Sequence, residues 1–143
     1  MRIFWIAAFV VLMLGGSAIA QVAPQRAIDM TAELHDEFGR AIKDPRDRAA
    51  DDAKCDKCPP MTLGHFVSNI LFNVPDSDDP HAKPNAEKMW ARGILAMKIR
   101  DDKAAVLTAD QITDIKALVA RGAPTPLFIM QVFPLLDPNA KPG

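Results

Sequence analysis

The stretch "MTLGHFVSNILF" (61–72) decides the fold class. Its large apolar residues, Leu63, Phe66, Val67, Ile70 and Leu71, recur with the spacing of one buried stripe on a helix. Thr62 stands where a helix needs a side-chain acceptor for its first free amides, and Pro75 ends the run. The segment predicts an amphipathic helix whose apolar face must be covered.

Upstream the period changes. In "AIDMTAELHDEFGRAIKD" (27–44), Ile28, Met30, Ala32 and Leu34 alternate with Asp29, Thr31, Glu33 and His35. That alternation is the pattern of a half-buried strand. Asp36 to Gly39 predicts a turn with Gly39 in the left-handed position, and Arg40 to Lys43 a short return strand. A lone hairpin is marginal in water, so it must lie against something.

Downstream, three further helices are expected. Asn85 can cap one that runs through Trp90, Ile94, Leu95 and Met97 to Arg100. Thr108 and Gln111 form a capping box ahead of the Ile112, Ile115 and Val119 stripe, with Leu107 able to staple onto Ile112. Arg121-Gly122 and Pro124 end that helix, and Thr125-Pro126 opens the next with proline at its first position. Residues 127–136 are apolar nearly all round, which predicts that this last helix is the most buried, kinked or ended at Pro134. The expected fold is α+β and mostly α: a short amino-terminal β-hairpin packed on a bundle of about four helices.

Arg2, the apolar run Ile3 to Leu14 and the small residues Ala18 and Ala20 read as a secretory signal peptide cut before Gln21. Retention as an anchor is the alternative, but the run is shorter than the roughly 20 residues that span a bilayer. The protein is therefore expected outside the cytoplasm, periplasmic or secreted, with no membrane attachment after cleavage. Residues 1–20 would be the leader and 21–143 a single small domain. Within it lie the hairpin (27–43), an exposed Asp-, Arg-, Lys- and Pro-rich connector (44–60), the helical region (61–137) and a frayed tail (138–143).

Loss of Arg2 with the leader leaves 16 basic against 18 acidic residues, a formal charge of −2. There is no basic run to bind nucleic acid or anionic lipid. Gly-rich phosphate loops, the G-x-S-x-G elbow and the H-E-x-x-H zinc helix are all missing from the chain. Asp76, Asp78 and Asp79 lack the spacing, turn glycine and closing Glu of a calcium loop.

Chemistry then rests on Cys55-x-x-Cys58. A thioredoxin-like pair opens a helix, yet Cys58 precedes Pro59-Pro60, and the expected helix starts beyond both sulfurs. As half of a zinc site, the pair would need His65 and His81 at a spacing that no common site uses. Pro59 occupies the place of the histidine that c-type haem attachment requires. The favoured reading is a small disulfide between Cys55 and Cys58 in an oxidising compartment, with no cofactor. Metal binding and thiol redox chemistry remain the alternatives.

The order of these features resembles a group of small uncharacterised proteins encoded in bacteriophages and prophages. The similarity lies in the hairpin with "DEFG" (36–39), in "MTLGHFVSNILF" (61–72), and in "LTADQITDIKALV" (107–119) with "TPLFIMQVFPLLD" (125–137). It spans residues 28–137; the leader and the Cys pair depart from it. The resemblance implies a compact α+β fold and a phage origin, and supplies no catalytic residue. The expected function is a non-enzymatic interaction or structural role with an unknown protein partner, and oligomeric state is left open. Phe72, Met89 and Trp90 are the candidate contact patch, with core packing as the other reading.

Overall fold

The computed structural model describes residues 24–44, 58–77, 79 and 81–138. The protein is mostly α with a small antiparallel β part: β1 (Gln25–Asp29), α1 (Leu63–Asn73), α2 (Ala86–Asp101), β2 (Ala104–Thr108), α3 (Ala109–Gly122) and α4 (Pro126–Leu136). The expected leader, the centre of the connector with Cys55, and the tail beyond residue 138 lie outside the described residues.

The alternation upstream is realised residue by residue. Ile28, Met30 and Leu34 are buried, Ala32 is half-buried, and Asp29, Thr31, Glu33 and His35 face solvent. Regular pairing within this stretch covers only β1, and its partner is distant in sequence: Gln25 pairs with Thr108 and Asp29 with Ala104 in the antiparallel ladder of β2. No strand was expected at residues 104–108. The local hairpin is a turn closed by single bridges, with His35 opposite Ala41 and the Asp36 amide donating to Arg40 O at 2.8 Å. Gly39 takes φ 76°, the left-handed conformation that glycine adopts without a Cβ clash.

The return arm meets a third extended segment. Leu34 N donates to Met61 O, Met61 N to Ile42 O, and Ile42 N to Leu34 O, a closed ring of three backbone hydrogen bonds. The carboxyl end of the connector is thereby drawn against the hairpin, and Asp44 and Cys58 are buried. The expectation of an exposed connector thus fails at Asp44 and Cys58, while Pro59 is exposed as expected. Backbone groups there find partners in extended chain, which the abundance of charged residues between 44 and 60 did not indicate.

α1 is the central helix. Its Leu63, Phe66, Val67, Ile70 and Leu71 are all buried, as the stripe predicts, and the Thr62 hydroxyl accepts from the His65 amide. Burying each such side chain contributes about 1.5–3 kcal/mol. Gly64 marks where α1 crosses its neighbours: a Cβ there would come within 2.9 Å of Ile99 O and 3.1 Å of Met30 Cβ. α3 begins with both halves of the capping box, Gln111 N donating to Thr108 Oγ1 and Thr108 N to Gln111 Oε1. It buries Ile112, Ile115, Leu118 and Val119.

α4 corrects the expected packing order. Only Val132 and Leu136 are fully buried on it, Phe128, Ile129 and Phe133 are half-buried, and Met130 is 72% exposed. Phe128 stacks on Phe66 of α1 with centroids 4.7 Å apart, so α4 covers one side of the core rather than filling its centre. An all-round apolar helix can be central or can carry an uncovered face, and its sequence does not distinguish the two. Pro134 lies inside the last turn, and the helix continues to Leu136.

Candidate functional site

α2 is built to face two ways. Asn85 caps it by accepting from the Lys88 amide, Glu87 lies in its first turn, and Lys98 and Arg100 lie in its last, all favourable to the helix dipole. Its inner side buries Ala96 and Ile99 and packs Leu95 against the core. Met89, Trp90, Ile94 and Met97 point outward, Trp90 with 71% of its surface exposed. At about 100° per residue, these four and Gly93 share an arc of about 140°. Phe72 of α1 extends the patch: its ring edge lies 3.9 Å from where a Cβ on Gly93 would be. Phe72, Met89 and Trp90 are therefore exposed together, and Ile94 and Met97 continue the surface. Their four- and three-residue spacing after Trp90 is the signal that would have added them.

The loop after α1 holds α2 in this attitude. Arg92 donates to Asp76 Oδ1 at 2.6 Å and to Val74 O at 2.7 Å, while Arg121 of α3 reaches Pro75 O at 2.6 Å. Arg92 Nε is buried with no partner among the described residues. Between this loop and α2 opens a cleft of about 1130 Å³, lined by Phe72, Asp76, Lys83, Met89 and Arg92 among others. Apolar and charged groups thus adjoin at the amino-terminal end of the outward face.

A second constellation forms at the base of α1. His65 Nδ1 lies 2.8 Å from Oδ2 of the buried Asp44, and the imidazole is only partly exposed. Asp44 is fixed by its own amide, which donates to Pro59 O at 3.0 Å, next in sequence to Cys58. A buried carboxylate that orients a histidine is the supporting half of an acid/base pair. Ser68, one turn along, is buried, with its hydroxyl donating to His65 O. No periodicity announces Asp44, because its partner is 21 residues away across the connector.

The other predicted residues are dispersed. His81 sits in the exposed loop, where its amide donates to Asp79 Oδ1, and His35 is exposed on the hairpin. Among the described residues no group of three or more His, Cys, Asp or Glu could hold a metal ion, and no free cysteine occurs. Cys55 lies outside the described residues. Comparison with protein-family models, curated proteins and solved structures gives no significant match.

Proposed function

We propose that the protein is exported and acts by binding a protein partner through the outward face of α2, without catalysis. The observation that carries this reading is the exposure of Trp90 in one continuous surface with Phe72, Met89, Ile94 and Met97. Large aromatic and thioether side chains left in water on a helix whose other side fills the core are characteristic of contact surfaces. Export rests on the leader sequence, and a prophage origin on the resemblance of residues 28–137. In the oxidising compartment that export implies, Cys55 and Cys58 pair into a small staple at the foot of α1; the burial of Cys58 favours it.

A photoreactive amino acid at position 90 tests the reading in the exporting host. Illumination should give one discrete adduct, abolished by Met97→Glu, while the same group at exposed Asp110 on α3 should give none. Equal, diffuse labelling from both positions would remove the proposed surface.

Thiol or metal chemistry at Cys55 and Cys58 is the second reading, favoured by the Asp44–His65 pair beside Pro59. Stoichiometric zinc with reduced thiols would establish the metal form. Turnover of insulin disulfides that is lost in the double Cys→Ser variant would establish the redox form. Oxidised sulfurs with neither activity leave the staple.

A further inference from the structure

The outward face of α2 carries apolar side chains on both sides of a glycine. Gly93 stands near the middle of the helix, with Met89 and Trp90 toward its amino end and Ile94 and Met97 toward its carboxyl end. Glu87 and Lys98 lie along one edge of this face, separated by about three turns or about 16 Å. Both are exposed, and neither makes an ion pair or side-chain hydrogen bond among the described residues. At that separation they cannot reach each other within one helix.

Opposite charges on one edge, six residues before and five after Gly93, come close to each other's partners when the face meets a copy of itself under a two-fold rotation. We propose that the occupant of this face is a second copy of the chain, its α2 antiparallel to the first and crossing beside Gly93. The proposal rests on α2 being the contact surface and names the partner. Trp90 of one protomer then lies across Met97 of the other, a sulfur–aromatic contact made twice. Glu87 of one protomer faces Lys98 of the other, also twice, and the helix dipoles oppose. An unrelated partner would place no such demand on the spacing of Glu87 and Lys98. One pair of short helices is a small contact, consistent with a weak, reversible dimer whose dissociation constant is on the order of micromolar or above.

Sedimentation of the purified exported protein from low to several hundred micromolar tests this with Glu87→Lys, Lys98→Glu and their equimolar mixture. Wild-type protein should form a reversible dimer that salt weakens. Each reversal alone should weaken it about tenfold or more, since both pairs become like-charged. The mixture should recover wild-type association, because each reversed charge then faces its opposite. Helical content by circular dichroism should be unchanged throughout, which separates lost contact from lost fold. A wild-type monomer across the whole range would overturn the dimer, as would reversals without effect or a mixture that fails to recover. A monomer that still gives one discrete adduct with another protein from position 90 removes the second copy and leaves the contact surface. A monomer without such an adduct removes both.

Discussion

Gln131 of α4 closes two hydrogen bonds on the backbone of His35: its Oε1 accepts from the His35 amide at 2.8 Å, and its Nε2 donates to His35 O at 2.6 Å. The side-chain amide behaves as one more strand residue and ties the hairpin to a helix 96 positions later. Gln131→Ala should cost about 1 kcal/mol, because both backbone groups are near water and can be rehydrated. Thermal melts check the size, and faster hydrogen exchange at the His35 amide checks the place. A full loss of several kcal/mol would mean that the hairpin is integral to the core.

The core itself should rank α1 above α4. Leu63 is wholly buried at the start of α1, so Leu63→Ala should cost about 2–5 kcal/mol in denaturant melts. Met130 is exposed on α4, and Met130→Ala should stay within about 0.5 kcal/mol. Equal losses at the two positions would restore the last helix to the centre of the fold.

The hairpin turn carries its own acid sensitivity. The Asp36 carboxylate accepts from the Arg40 amide, pairs with the Arg40 guanidinium at 2.7 Å and accepts from the Phe38 amide. The Arg40 amide chiefly, then the Arg40 side chain and the Phe38 amide, hold its carboxyl below the ordinary value of 3.8, against some loss of solvation. A carboxyl depressed by folding stabilises the turn fully above its unfolded value, and the contribution is lost as pH falls through the folded one. The Asp36 carboxyl signal should therefore titrate below 3.8 by NMR, with Gly39 amide exchange accelerating over the same interval. Asp36→Asn should remove the coupling. Titration at or above the ordinary value would show that these bonds do not persist in solution.

Local chemistry was legible in the sequence, and long-range partnership was not. The α1 stripe, the capping box of Thr108 and Gln111 and the left-handed Gly39 each depend on neighbours within a turn or two, so their signals lie in contiguous residues. β2 escaped notice because "AAVLT" is short and its register is set by Gln25–Asp29, some 80 positions earlier. Asp44 looked like one more charge in a polar connector, and only folding brings it to His65. For α4, continuous apolarity foretold a helix but not which of its sides the sheet and α1 would cover. The patch on α2 was half visible: Phe72, Met89 and Trp90 were named from their types, whereas their exposure depended on Ala96 and Ile99 taking the opposite side.

The most direct test of the central claim is the fluorescence of Trp90, which is the only tryptophan besides Trp5. In the exported protein, or in the full chain with Trp5→Phe, emission and acrylamide quenching are followed on dilution. An exposed contact residue predicts red-shifted, readily quenched emission at the lowest concentrations, moving to the blue and becoming shielded as the face is covered. Blue, shielded emission at every dilution would place Trp90 inside the monomer and contradict the account.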